Sequence, residues 1–226
     1  MIKLLSIADV VTLTNVTFGF MAIIMAFLNE IRFSFSFILL ALLADGLDGV
    51  VARRTRKGEL GEYFEAMADM TSLGIAPAIF VYFVYVTYHD AVSCCIYRHI
   101  ILVAVLIVFL SMSVIRLASF HIMKDKNFFV GLPASASTII ILTLAFFEIE
   151  FLYILPVIVI VSLAMLSNVR FPKPGFKMDA MAAILIILTL IIGKNYDNVA
   201  PLILLSMIMV YVIAGPVYLW KTKNSA

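Results

Sequence analysis

Long apolar stretches follow one another along the whole chain, separated only by short polar connections. An apolar stretch needs ~20 residues to cross the hydrocarbon of a bilayer as a helix. Inside a bilayer every backbone N–H and C=O group must be hydrogen bonded within the protein, and a helix achieves this within one segment. Because 64% of the residues are hydrophobic and only 13% are charged, a water-soluble domain is excluded. The chain is therefore predicted to be an all-α polytopic transmembrane helical bundle.

The apolar pattern predicts about eight membrane spans within a single integral membrane domain, residues 1–226. Glu148 and Glu150 predict a tight turn between two spans, and Pro172 and Pro174 stand where helices should stop. The spans are placed at residues 8–29, 33–53, 60–88, 98–121, 132–147, 150–168, 178–193 and 199–220.

Most of the 16 lysines and arginines lie in alternate connections, and such basic connections are typical of the cytoplasmic side. This pattern predicts a multi-pass protein of the cell membrane with both termini in the cytoplasm. Nucleic acid is not indicated as a partner. The basic residues assigned to the cytoplasmic side are Lys3, Arg53, Arg54, Arg56, Lys57, Lys124, Lys126, Arg170, Lys173, Lys177, Lys221 and Lys223, against Arg32, Arg98 and Lys194 outside.

Four acidic residues lie at the predicted cytoplasmic ends of the second and third spans. Asp45 and Asp48 are three residues apart, and Glu65 and Asp69 are four apart, so each pair shares one helix face. The short connection between the spans makes them antiparallel neighbours, so that both pairs can converge. Carboxylates near hydrocarbon are costly unless a cation holds them, and a pair of divalent metal ions carrying phosphate oxygens is the simplest occupant. This places the predicted active site at the cytoplasmic face.

Two further residues of the second span suit a phosphate ligand. Gly49 leaves bare backbone beside Asp48, where a phosphate can approach closely. Arg53 lies about one turn further on, and its guanidinium can hold a phosphate through two parallel hydrogen bonds.

This pattern resembles that of the CDP-alcohol phosphotransferases, D-x2-D-G-x2-A-R followed by G-x3-D-x3-D. Here the first part reads Asp45-x2-Asp48-Gly49-x2-Ala52-Arg53, and the second reads Gly61-x3-Glu65-x3-Asp69. The spacer is one residue shorter than is usual in the family. Glu65 stands in place of the family's third aspartate, so its longer side chain would shift a bound metal or require the backbone to retreat.

Outlying segments resemble the phosphatidylserine synthase and archaetidylserine synthase branch of that family. They occur in the same order as in the branch and extend the likeness from about residue 10 to 175. The segments are Thr12-x2-Asn15-x3-Gly19, Asp69-Met-Thr-Ser-Leu-Gly74-Ile-Ala-Pro77, Arg116-Leu-Ala-Ser-Phe120, Phe129-Val-Gly131-Leu-Pro133 and Ser167-Asn168-Val-Arg170-Phe-Pro172.

The resemblance implies transfer of a phosphatidyl-type group from a CDP-activated lipid to the hydroxyl of L-serine, with release of CMP. It implies two divalent ions, Mg²⁺ or Mn²⁺, held by the four acidic residues, with Asp69 also as the catalytic base. Gly49, Arg53 and Asn15 would contact the CDP-lipid, whose chains stay among the membrane lipids. A homodimer is expected from the likeness alone.

The carboxylate of serine requires a cation. Arg116 lies inside the fourth span, where an unpaired guanidinium is costly, and it is the first candidate to bind that carboxylate or a phosphate. Asn168 and Arg170 are the second candidates. The alternative is that Arg116 pairs permanently with Asp69 or Glu65, or reaches the interface, as part of the structure.

Other functions stay open at this point. The acceptor could be glycerol phosphate, inositol phosphate or an amino alcohol, although a phosphorylated acceptor calls for more cations than the site offers. A metal or proton transporter would distribute acidic residues through the bilayer, whereas here they cluster at one face. A non-catalytic relative that binds metal or nucleotide is the third possibility, because of Glu65. Neither the ester or ether linkage of the lipid nor the preferred metal is indicated.

Overall fold

The computed structural model describes residues 6–54, 61–87, 96–120, 128–173, 175–192 and 199–224. In this part of the chain there are eight helices, one overlapping each predicted span, so the all-α prediction is confirmed. Seven of them are α1 (Ile7–Phe27), α2 (Ile31–Arg54), α4 (Ile96–Phe120), α5 (Ala134–Phe146), α6 (Phe151–Met165), α7 (Phe176–Ile192) and α8 (Val199–Asn224).

The remaining helix, α3, has three continuous parts. An α-helix at Gly61–Asp69 leads into a π-helical segment at Met70–Ile75, and an α-helix at Ala76–Thr87 follows. The π-helical segment begins immediately after Asp69, the last acidic residue of the predicted site. Wider helical turns of this kind are rare in proteins. Those that occur are often found at functional sites.

Among the described residues, four helical stretches are long and apolar enough to cross a membrane: Asp9–Phe27, Gly61–Val86, Ile96–Ser119 and Val199–Trp220. The shorter apolar helices are α5, with 13 residues, α6, with 15, and the stretch Ala180–Ile191 of α7. A polytopic membrane protein is therefore supported, while the total of eight crossings stays a prediction.

The chain forms two compact units, Met1–Leu110 and Ser111–Ala226. In the first unit α1 packs against both α2 and α3. Ser6 caps the start of α1: its hydroxyl accepts from the backbone N–H of Asp9, and the Asp9 carboxylate accepts from the N–H of Ser6. Asp9 is thus a helix-start residue.

The turn between α1 and α2 is tight, because Asn29 adopts a left-handed backbone conformation with φ of 61°. Just after it, the hydroxyl of Ser34 donates to the carbonyl oxygen of Ala22 at 2.8 Å and joins the two helices. Ala22 and Ala26 are fully buried, which allows the helix backbones to approach closely. The first unit also has an apolar core that includes Phe80, Tyr85, Ile38 and Leu39.

In the second unit two short strands form an antiparallel ribbon. Strand β1 (Phe128–Val130) pairs with β2 (Arg170–Pro172), with Phe129 opposite Phe171. Gly131 follows β1 with φ of +79°, and a Cβ there would lie 2.2 Å from the carbonyl oxygen of Met165. Only glycine allows the ribbon to pack this closely on the end of α6.

Candidate active site

Both pairs of acidic residues lie in the first unit, on the two helices that the sequence assigned to them. Asp45 and Asp48 are on the last part of α2, and Glu65 and Asp69 are on the first part of α3. The carboxyl groups of Asp45 and Asp69 lie near each other across the two helices. Asp48 and Glu65 lie close enough to interact electrostatically with both. The four acidic side chains therefore lie near one another, and their shared role in a site stays a prediction.

Helix α1 supplies polar contacts to this cluster. The hydroxyl of Thr12 donates to Oδ2 of Asp48 at 2.9 Å, and Nδ2 of Asn15 donates to Oδ1 of Asp69 at 3.1 Å. Thr12 is 4% exposed and Asn15 is fully buried. The contact of Thr12 was not predicted. Its signal in the sequence is the spacing Thr12, Asn15 and Gly19, which puts polar and small residues on one face of an otherwise apolar helix.

The chemistry of the cluster fits divalent cations. Carboxylate oxygens are the ligands that Mg²⁺ and Mn²⁺ prefer, and four of these groups are near one another. Two carboxyl groups near each other, such as those of Asp45 and Asp69, repel each other unless a cation or a proton lies between them. Among the described residues no group of three or more His, Cys, Asp or Glu side chains is arranged so that it could hold a metal ion. The donor set is thus chemically suitable, and metal binding by these four residues stays a prediction.

The predicted phosphate-binding residues are described only in part. Gly49 and Arg53 belong to the helical end of α2, and their side-chain surroundings lie outside the described residues. The connection to α3, residues 55–60, also lies outside them.

The three candidates for the serine carboxylate lie in the second unit. Arg116 is 6% exposed on α4, and its Nε donates to the carbonyl oxygen of Leu132 at 3.3 Å. Asn168 and Arg170 are exposed, and the guanidinium of Arg170 lies 4.6 Å from the ring centroid of Phe128. The shared role of the three candidates in binding serine stays a prediction.

The ribbon joins two segments that the sequence presented as separate motifs. Phe129-Val-Gly131-Leu-Pro133 contributes to β1, and Ser167-Asn168-Val-Arg170-Phe-Pro172 contributes to β2. The N–H of Gly131 donates to the carbonyl oxygen of Val169 at 2.8 Å and extends the pairing. The hydroxyl of Tyr211 on α8 donates to the carbonyl oxygen of Pro172 at 2.9 Å. The second motif is therefore held in place by the first and by the last helix.

Comparison with known proteins agrees with these features. The family model described as CDP-alcohol phosphatidyltransferase matches residues 5–215. A CDP-diacylglycerol–serine O-phosphatidyltransferase of Methanocaldococcus jannaschii is 31% identical over 172 residues, covering 76% of each chain. One of Helicobacter pylori is 29% identical over 220 residues, covering 90% of this chain and 86% of the relative. An archaetidylserine synthase of Methanothermobacter thermautotrophicus is 30% identical over 189 residues, covering 79% of this chain and 73% of the relative.

Proposed function

Since the chain belongs to the CDP-alcohol phosphatidyltransferase family, we propose that it transfers a phosphatidyl-type group from a CDP-activated lipid to the hydroxyl of L-serine. CMP is the second product. The observation that carries this proposal is the proximity of the acidic residues of α2, Asp45 and Asp48, to Glu65 and Asp69 of α3, which brings the two halves of the acidic motif together. The choice of serine rests on the names of the relatives in three organisms. The lipid is a diacyl or an archaeal ether lipid.

In the proposed reaction the serine hydroxyl oxygen attacks the phosphorus that carries the lipid. A bond forms between these two atoms, and the bond from that phosphorus to the oxygen bridging to CMP breaks. Asp69 takes the proton of the hydroxyl as a general base. Asn15 holds Oδ1 of this carboxylate, which orients Asp69 before the substrate arrives.

The four acidic residues Asp45, Asp48, Glu65 and Asp69 would hold two divalent ions, Mg²⁺ or Mn²⁺. When bound, these ions neutralise the charge of the diphosphate and stabilise CMP as it leaves. Gly49, Arg53 and Asn15 are proposed to contact the CDP-lipid, with Gly49 leaving room for its phosphates and Arg53 pairing with them.

The enzyme is proposed to have eight spans and to lie in the cell membrane with both termini in the cytoplasm. The acidic cluster then faces the cytoplasm, where serine and the nucleotide are dissolved, while the lipid chains stay in the bilayer. Arg116, Asn168 and Arg170 are proposed to recognise the serine carboxylate. A homodimer is proposed from the family likeness.

The test is an assay of purified protein in lipid with labelled L-serine and either CDP-diacylglycerol or CDP-archaeol. Labelled lipid is expected to form with Mg²⁺ or Mn²⁺ and to disappear with EDTA. The variant Asp69→Asn keeps the size of the side chain but cannot take the proton, so its activity is expected to fall by at least about a hundredfold. An exposed neighbour on the same helical part, Met67→Leu, serves as the matched control.

Failure to label lipid with either donor would contradict the serine assignment. Glycerol phosphate and inositol phosphate are then the acceptors to assay with the same donors. Transfer to one of these would retain the chemistry of the acidic cluster and change only the acceptor.

A further inference from the structure

We infer that Thr12 and Asn15 of α1 are positioning residues, which hold Asp48 and Asp69 in place to receive divalent metal. The acidic motif lies wholly on α2 and α3, so neither residue belongs to it. The inference rests on the proposed function for its metal. It assigns to α1 a part in the site beyond packing.

The two contacts are arranged alike. Thr12 and Asn15 are three residues apart on one face of α1, and each donates to one oxygen of a different aspartate. Asp48 comes from α2 and Asp69 from α3, so α1 fixes carboxylates of two helices at once. A hydrogen bond to one oxygen restricts the rotation of a carboxylate and directs its other oxygen. Residues that act in this way behind metal ligands commonly set metal affinity.

Both donors are neutral, and this suits a metal site better than a basic residue would. An arginine or lysine in their place would hold the carboxylates but would also cancel the charge that attracts the cation. The hydroxyl of Thr12 and the amide of Asn15 hold the carboxylates and leave the negative charge of the cluster intact.

The burial of Asn15 also supports a positioning role. Asn15 is fully buried, and its Oδ1 has no hydrogen-bond partner among the described residues. An unsatisfied buried oxygen is unfavourable, so an apolar side chain would suit pure helix packing better at this position. The donation from Nδ2 to Asp69 gives the amide a purpose that packing does not.

Close packing of α1 maintains these contacts. Gly19 lies one turn after Asn15 on the same buried face, and a Cβ there would lie 3.0 Å from Cα and Cβ of Ser72. Ser72 belongs to the π-helical segment that follows Asp69. The bare backbone at Gly19 therefore allows α1 to approach α3 beside the site.

The test measures Mn²⁺ binding to the full-length protein in lipid, without substrates, by electron paramagnetic resonance and by the rise in melting temperature with added Mn²⁺. Thr12→Val removes only the hydroxyl, and Asn15→Leu removes the amide. Each is expected to weaken Mn²⁺ binding by about tenfold or more. Thr12→Ser, which restores a hydroxyl, is expected to stay within about twofold of wild type.

Two threonines of the same helix provide matched controls. Thr14 and Thr17 are exposed, and their hydroxyls donate to the backbone of α1, to Val10 and Leu13. Thr14→Val and Thr17→Val are expected to bind Mn²⁺ as wild type does. Thr12→Val is close to isosteric, so it carries the test even where Asn15→Leu does not fold.

The inference is overturned if Thr12→Val binds Mn²⁺ as tightly as wild type does. It is also overturned if Thr14→Val loses as much Mn²⁺ binding as Thr12→Val, or if the wild-type protein binds no Mn²⁺. Serine transfer is measured on the same samples to separate this inference from the proposed function. Weaker metal binding in the variants of a protein that does not use serine supports the positioning role and contradicts the function. If the wild-type protein transfers serine and its variants bind Mn²⁺ as wild type does, the function is supported and the positioning role is contradicted.

Discussion

Glu65 is one methylene longer than the aspartate that the motif of the resembling family carries at this position. Its carboxylate nevertheless interacts electrostatically with both Asp45 and Asp69, so the longer side chain reaches the cluster. This favours a site adapted to glutamate over a weakened one.

The variant Glu65→Asp is therefore expected to lose activity. The shorter side chain withdraws one carboxylate from the cluster, and a displacement of about 1 Å in a catalytic arrangement can lower turnover by up to about a hundredfold. Steady-state turnover at saturating Mn²⁺ measures the effect. A large gain in turnover would instead indicate that glutamate had weakened the site.

Arg116 offers a second test at the scale of one residue. It is buried and uses Nε to donate to the backbone of Leu132, which fixes its side chain. If the guanidinium binds the serine carboxylate, Arg116→Lys keeps the charge but loses the paired donors. We expect the KM for serine to rise about tenfold, because one charge-assisted hydrogen bond to the substrate is lost. The KM for the CDP-lipid is expected to stay unchanged. Equal changes in both constants would favour a structural role.

The acidic cluster could be predicted from the sequence because helical spacing determines which side chains share a face. Asp45 with Asp48, and Glu65 with Asp69, needed only the period of a helix and a short connection between two spans. The hydrogen bonds of Thr12 and Asn15 could not be predicted in the same way. They depend on the rotation of α1 about its axis, which is set by contacts such as that between Gly19 and Ser72.

Among the elements, all eight helices could be predicted, since a continuous apolar stretch leaves a membrane chain few other structures. The π-helical segment and the ribbon could not. A π-helical turn contains one residue more than an α-helical turn, and this does not change the sequence pattern of a long apolar stretch. Strands β1 and β2 have three residues each, too few for an alternating pattern.

Gly131 is the residue on which the ribbon most depends. Gly131→Ala would place a Cβ against the carbonyl oxygen of Met165 and would hold alanine at positive φ, which alone costs about 1–2 kcal/mol. The melting temperature in detergent is expected to fall by several degrees. The control is Gly175→Ala, because a Cβ at Gly175 meets nothing within 4 Å. An equal change in the two variants would contradict this account of Gly131.

For the whole molecule, the distribution of basic residues predicts how the chain is oriented in the membrane. Tags at the two termini are expected to react with an impermeant reagent in inside-out vesicles and not in right-side-out vesicles or intact cells. This follows from an even number of spans with basic connections inside. A single tag labelled from the outside would contradict eight spans and indicate an odd number.

The shortness of α6 has a consequence for the bilayer itself. Its 15 residues extend ~22 Å, whereas the hydrocarbon is ~30 Å thick. Leu152, Ile160 and Leu163 of this helix are exposed. Where such a helix faces lipid, hydrophobic mismatch thins the leaflets beside it. Turnover is therefore expected to depend on acyl-chain length and to be highest in thin bilayers, so membrane thickness itself would regulate how fast new headgroups are made.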